Sequence, residues 1–184
     1  MPRQARHLDN STLLLITQKS ESDLFRNNHD RDEMMDIMRS AKNKYGFECY
    51  GYCLLDDRQF KLILDTKGRN ISTIMSSVLV AYANYRQAEG KLFKGRFHSK
   101  ALHNQAELQE AMALIHKKTN SQYNSYCFHN NQSPLPQQFS INLDTDSVAF
   151  GEIDSTLNLE EAQLKLQSWM QAKGCNLDKL KKDK

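Results

Sequence analysis

The sequence predicts an α+β fold: a ferredoxin-like antiparallel sheet with helices packed on one face, followed by a C-terminal helical extension. A length of 184 residues corresponds to one domain and a tail. The periodic segments follow the order strand, helix, strand, strand, helix, strand, helix. Two split β-α-β units in this order form a sheet of that type. A stretch rich in Asn, Gln, Ser and Pro at residues 130–138 divides the chain. This predicts a domain over residues 1–130 and a linker with a helical tail over residues 131–184.

Apolar residues signal the first strand and the first helix. Residues 13–17 form a short apolar run that is typical of a buried strand. Residues 30–45 carry apolar side chains from Met34 to Tyr45 at spacings of four, three and four, which places them on one face of a helix. Gly46 follows directly and is expected to end this helix.

A hairpin and a second helix come next. Residues 47–55 and 59–65 are predicted strands around a polar turn at residues 56–58. Residues 70–87 carry a stripe of Ile, Met, Val and Tyr side chains at helical spacing.

Three further elements complete the prediction. Residues 92–102 are expected to form a strand. Asn104, with Glu107 three positions later, is typical of the start of a third helix. In the tail, residues 158–173 are predicted to be helical, with a narrow apolar stripe that includes Trp169.

The composition limits the class of protein. No apolar run approaches the about 20 residues needed to span a bilayer, and no secretory leader opens the chain, so we expect a cytoplasmic protein without a membrane contact.

The four cysteines form no C-x-x-C pair, which argues against a zinc ribbon. None of the six histidines has another histidine two or four positions away, so no metal motif is predicted. The net charge of +3 is small, so any nucleic-acid role depends on where the basic residues lie.

One segment concentrates positive charge. Between Arg86 and Lys100, five basic residues stand against one acid, a net charge of +4 that exceeds the +3 of the whole chain. On a strand, alternate residues from Lys94 to Lys100 would share one face. Cations about 7 Å apart match the phosphates of an extended nucleic-acid strand. The alternative is a solvated basic sheet edge that resists aggregation.

Several short motifs occur in the order found in a known family. They are Met1-Pro-Arg-Gln-Ala-Arg6, Lys44-Tyr-Gly-Phe47, Tyr52-Cys-Leu-Leu55, Asp65-Thr66, Asn70-Ile-Ser72 and Leu92-Phe-Lys-Gly-Arg-Phe-His-Ser99. Together, over residues 1–125, they resemble the single-tyrosine transposases of the histidine-hydrophobic-histidine (HUH) superfamily, in particular the REP-associated group.

The resemblance implies the same ferredoxin-like core, with single-stranded or hairpin DNA as the ligand. In this family, two histidines on a central strand and an amide side chain bind one divalent cation, which polarises the phosphate. A tyrosine on the third helix attacks that phosphate and forms a covalent link. The family includes monomers and dimers, so the resemblance also allows a homodimer.

This chain departs from the family at the two histidine positions. They fall on Gln59 and Lys61, on either side of Phe60. In a shifted register they fall on Arg58 and Phe60, and neither register contains a histidine. Strand alternation favours the first register, because Phe60 then points into the core.

The positions of the tyrosine and the amide are also changed. They fall on Leu114 and Lys118. Leu114 has no nucleophilic atom, and a lysine at position 61 or 118 would repel a divalent cation. The sequence therefore predicts no catalytic residue, no metal ligand and no cofactor, and Mg²⁺ would be needed only if the site were active after all. Tyr123 and Tyr126, beyond the third helix, are weak candidates for a replacement nucleophile.

These observations predict a DNA-binding protein with a transposase-like core and no catalytic activity. The predicted phosphate contacts are the basic residues of the charged segment and of an N-terminal arm: Arg3, Arg6, Arg86, Lys91, Lys94, Arg96, His98 and Lys100. His98 or Phe97 could stack on a base, and the lysines at positions 61 and 118 could hold a phosphate by charge. Two alternatives are an active transposase or DNA-nicking enzyme with an atypical site, and a protein-interaction regulator of a transposase.

Overall fold

The elements of the fold follow the predicted order, and a short fourth helix comes after them. The computed structural model describes residues 11–87, 90–116, 121–129, 141–146 and 148. In chain order the elements are β1 (Leu13–Lys19), α1 (Asn28–Tyr45), β2 (Glu48–Asp56), β3 (Gln59–Asp65), α2 (Ile71–Tyr85), β4 (His98–Ala101), α3 (Gln105–Ile115) and α4 (Tyr126–His129). The helix predicted over residues 158–173 lies outside the described residues. Within the described ranges, no helix combines the length and the apolar character needed to cross a membrane.

The four strands form one antiparallel sheet in the order β2-β3-β1-β4. β3 and β1 therefore lie at the centre, each with a neighbour on both sides. In one row, Leu15 of β1 pairs with Ile63 of β3 on one side and with Lys100 of β4 on the other. This is the ferredoxin-like arrangement, and the predicted fold class is confirmed.

The two longer helices cover one face of the sheet. Met38 of α1 and Val78 of α2 lie in the same buried cluster as Phe60 of β3. Phe60 is fully buried, as strand alternation predicted. Its neighbours Gln59 and Lys61 therefore point to the opposite face.

The third helix packs on that opposite face, which differs from the prediction that the helices share one face. Its inward residues meet β1 and β3 in a second buried cluster, which includes Leu108, Ala111, Ile115, Leu13, Leu15 and Ile63. The reason lies in β1, where all four residues from Leu13 to Ile16 are buried although their side chains alternate between faces. A strand that is apolar on both faces must be covered on both.

β4 is shorter than the strand predicted over residues 92–102. It spans His98–Ala101, and before it Phe93 makes an isolated bridge to the chain that follows β1. Gly95 interrupts the ladder with a φ of +68°, a left-handed conformation that glycine adopts without strain. The residues on either side of Gly95 therefore lie in a loop.

The predicted helix ends are formed by the expected side chains. The Asn104 side chain accepts a hydrogen bond from the backbone N–H of Glu107 at 2.9 Å. The Glu107 carboxylate in turn accepts from the backbone N–H of His103 at 3.0 Å. Gly46 ends α1 in the left-handed conformation, and its N–H donates to the Lys42 carbonyl. These bonds satisfy backbone groups that a helix end leaves unpaired.

Candidate nucleic-acid interface

Part of the sheet face that carries α3 is left open. Lys61 lies at its centre, opposite Cys53 of β2 on one side and Thr17 of β1 on the other. Thr17 in turn pairs with His98 of β4. Directly paired residues point to the same side of a sheet. Cys53, Lys61, Thr17 and His98 therefore form one row across all four strands.

α3 covers the adjoining part of this face. Gly51 of β2 pairs with Ile63 one row away, and a Cβ on Gly51 would lie 2.6 Å from Cδ1 of Ile115. The absence of a side chain at Gly51 thus allows α3 to approach the sheet. Leu114, next to Ile115 in the chain, is 58% exposed. The contact between Gly51 and Ile115 shows that the β2–β3 hairpin and α3 lie together in the fold.

Four basic side chains line the open part of the sheet, which we call the open face. Lys61 is half-buried, whereas Lys19, His98 and Lys100 are exposed. Lys19 follows Thr17 by two positions, and Lys100 follows His98 by two. Alternate residues of a strand point to the same face, so both lysines lie on the face of that row. No described carboxylate pairs with any of the four, whereas arginines and lysines of α1 and of the hairpin turn form ion pairs. The open face therefore carries uncompensated positive charge.

Gln59 and Lys61, at the positions that the resemblance matches to the family's two histidines, do not fit a divalent cation. The Gln59 side-chain amide donates to the Asp56 carboxylate at 2.7 Å, and Lys61 presents an ammonium group that repels a second cation. Leu114 presents only an exposed aliphatic side chain. Lys118 lies outside the described residues. Within the described part of the chain, no three His, Cys, Asp or Glu side chains gather at one point.

Other contacts hold Tyr123 and Tyr126, the tyrosines predicted as weak candidates for a nucleophile. The Tyr123 hydroxyl donates to the Asp32 carboxylate at 2.9 Å. Burial raises the pKa of this hydroxyl, which disfavours the phenolate needed for attack. Tyr126 packs edge-on against His116, with ring centroids 5.7 Å apart.

Arg86 lies away from the open face. Its guanidinium donates to the backbone carbonyls of Asp23 and Leu24 and stands 3.7 Å from the Asp30 carboxylate. The side chain is 8% exposed. A phosphate contact from Arg86 would require these bonds to break.

The other predicted phosphate contacts fall into three groups. His98 and Lys100 lie on the open face. Lys91, Lys94 and Arg96 are exposed in the loop before β4. Arg3 and Arg6 lie outside the described residues.

An apolar groove separates the loop before β4 from α2. Its volume is about 550 Å³, and its lining includes Ser76, Leu79, Val80, Phe93, Arg96 and Phe97. Phe97, predicted as a base-stacking residue, is buried and packs into the cluster beneath α1 and α2. The Phe97 ring is therefore part of the hydrophobic core and is not exposed for stacking on a base.

Sequence reasoning did not identify two features near this face. Lys19 and Thr17 reach the open face through the pairing of β1, which no local spacing signals. His116 and His129 meet with ring centroids 5.1 Å apart. Burial and the nearby His129 lower the pKa of His116 to about 4, and burial also lowers the pKa of His129. Both rings are therefore neutral at pH 7.

Solved structures similar to this chain include a tyrosine transposase and a candidate transposase. The structure of a REP-associated tyrosine transposase bound to a REP hairpin has a TM-score of 0.57 and 12% identity, and the match covers 83% of this chain and 98% of that chain. A candidate transposase from Deinococcus radiodurans R1 has a TM-score of 0.42 and 15% identity, over 62% of this chain and 98% of that chain. No protein-family model and no curated protein matches the sequence. The first comparison shows that this chain shares the fold of that transposase.

Proposed function

We propose that this protein binds single-stranded or hairpin DNA through its open face and does not cleave it. The observation that carries this function is the group of Lys19, Lys61, His98 and Lys100, which lie on a sheet surface that α3 leaves uncovered and have no ion-pair partner among the described carboxylates. The transposase of similar fold is bound to a REP hairpin, which supports DNA as the ligand.

The placement of these side chains suits a polyanion. Neighbouring strands lie about 4.8 Å apart, and alternate residues on one strand lie about 7 Å apart. Cations on such a grid can contact successive phosphates of a nucleic-acid strand. Lys94 and Arg96, in the adjoining loop, extend the basic surface beyond the strand.

We expect no cleavage because the positions that the resemblance matches to the family's metal ligands and nucleophile carry other residue types. A metal ion would have to be held beside Lys61, whose ammonium repels it. Attack on the phosphate would have to come from position 114, where the side chain is an aliphatic Leu. A lysine can stabilise the charge of a phosphate without activating it for displacement. The site would therefore hold the DNA backbone by its phosphates without cutting it.

The test is a fluorescence-anisotropy titration of a labelled DNA hairpin with a single-stranded flank. Lys61→Gln combined with Lys100→Gln removes two cations from the open face. We expect weaker binding and a slope of log K against log salt reduced by about 1.4–1.8, since each lost phosphate contact removes about 0.7–0.9. Arg39→Gln combined with Lys44→Gln removes the same charge from the exposed surface of α1 and should leave the slope unchanged.

Each half of the proposed function can fail separately. An unchanged slope in the open-face variant would reject this surface, and no binding by the wild type would reject DNA as the ligand. Incubation of wild type and DNA with Mg²⁺ or Mn²⁺, followed by a denaturing gel, tests cleavage. We expect no covalent protein–DNA adduct, and an adduct would instead support the active enzyme. Pairing of two copies of the chain stays a prediction.

A further inference from the structure

Two histidines that are distant in sequence meet at the end of α3. His116 is the C-terminal cap of α3, and His129 ends α4. Their ring centroids lie 5.1 Å apart, and the ring planes are inclined by 49°. The proposed DNA contact uses neither ring.

Hydrogen bonds hold one nitrogen of each ring. His129 Nε2 lies 2.8 Å from the carbonyl oxygen of Tyr50, which can only accept, so Nε2 carries the proton. His116 Nε2 lies 3.0 Å from Oγ of Ser125, a hydroxyl that can accept from this nitrogen while it donates its own proton to the Tyr52 carbonyl at 3.3 Å. The Nδ1 atom of His129 is left with a lone pair, and so is Nδ1 of His116 in the tautomer that donates to Ser125.

This arrangement matches that of histidines bound to a metal. A ligating histidine donates its other N–H to a group such as a backbone carbonyl, which orients the ring. Two imidazoles on one tetrahedral ion, with bonds of about 2.0–2.1 Å, have centroids about 5 Å apart. Imidazole nitrogen suits Zn²⁺, Cu²⁺ and Ni²⁺. We propose that Nδ1 of His116 and Nδ1 of His129 chelate one transition-metal ion, with water in the remaining positions.

The surroundings indicate what such an ion would do. Among the described residues no third His, Cys, Asp or Glu joins the pair, so the affinity should lie well below that of a four-ligand structural zinc site. The Tyr126 ring makes an edge-to-face contact with His116, with ring centroids 5.7 Å apart. A bound ion would fasten the end of α3 to α4 and so hold α3 against the sheet beside the open face.

The test is a titration of the full-length protein with Cu²⁺, followed by calorimetry and electron paramagnetic resonance. In His116→Gln and His129→Gln, the new amide can still donate one hydrogen bond but offers no second ring nitrogen. The wild type should bind one ion through two nitrogen ligands, and each variant should bind more than about tenfold more weakly. His29→Gln, which changes an exposed histidine on α1, is the matched control and should bind like the wild type.

A second measurement needs no variant. In nitrogen NMR spectra of the wild type, Zn²⁺ should shift the Nδ1 resonances of His116 and His129 and leave their Nε2 atoms protonated. Equal affinity of the two variants and the control would overturn the site. So would a shift confined to other histidines, or no binding of either ion by the wild type.

Discussion

At the scale of single residues, Asp30 shows how this fold stabilises a buried charge. The side chain is 2% exposed, and burial alone would raise its pKa. Hydrogen bonds from the side chain and backbone of Arg26 and from the Tyr85 hydroxyl, together with the charge of Arg86, outweigh burial and lower the pKa to about 2. The carboxylate thus ties the start of α1 to the end of α2.

Asp30→Asn should lower the free energy of unfolding at pH 7 by about 2 kcal/mol, because the pKa of Asp30 falls from 3.8 to about 2 on folding. The folded pKa lies below the unfolded one, so this stabilisation is complete above about pH 5 and is lost as the pH falls from about 4 to 2. Urea denaturation at pH 7 and pH 3 measures the difference between variant and wild type, which should shrink at pH 3.

Asp36→Asn is the control on the same helix. Its carboxylate is 57% exposed and pairs with Arg39 at the surface, so its loss should cost less than about 0.5 kcal/mol. A destabilisation by Asp30→Asn that is the same at both pH values would show that the charge is not its cause.

At the scale of elements, Gly51 determines how closely α3 approaches β2. A Cβ at this position would lie 2.6 Å from Ile115 Cδ1, 3.1 Å from Met112 Sδ and 3.3 Å from Ser125 Oγ. The first two atoms belong to α3, and the third belongs to the residue before α4. A larger side chain at position 51 must therefore displace side chains of α3 and crowd Ser125.

Gly51→Ala should destabilise the protein by about 1–3 kcal/mol, as expected for an overpacked contact. Because the nearest atom is the terminal Cδ1 of Ile115, Ile115→Val should relieve the overlap. The double variant is then less destabilised than the sum of the two single variants. Urea denaturation of the four proteins gives this coupling energy. Additive effects would show that Ile115 is not the source of the overlap.

At the scale of the whole molecule, residues beyond the predicted boundary complete both buried clusters. Ile141 packs into the cluster beneath α1 and α2, and Val148 packs into the cluster beneath α3. The backbone N–H of Asn142 donates to the Cys49 carbonyl at 2.8 Å. The division of the chain near residue 130 stays a prediction, and truncation can test it.

A chain that ends at residue 151 should keep the melting temperature and DNA affinity of the full chain, because the described core residues precede that position. A chain that ends at residue 140 lacks Ile141 and Val148, and it should melt at least about 5 °C lower. Circular dichroism melts of the three proteins make the comparison. Equal melting temperatures for the two shortened chains would support a boundary near residue 130.

The sequence by itself determined the local features of this protein. Apolar spacing set the order of strands and helices, and Asn104 and Gly46 set helix ends. Alternation along β3 turned Phe60 inward and left Lys61 on the other face. The residue types at the positions that the resemblance matches to the family's catalytic groups can also be read directly from the sequence. Each of these features depends on residues only a few positions apart, within one helical turn or one strand.

Only the tertiary structure decided which distant residues meet. It placed α3 on the face opposite α1 and α2, and it brought the four basic side chains of the open face together from three strands. Arg86, predicted to contact a phosphate, lies instead beside Asp30, and His116 meets His129 at the end of α3. Strand register and helix docking follow from contacts between segments far apart in the chain, and no local pattern of residues encodes those contacts.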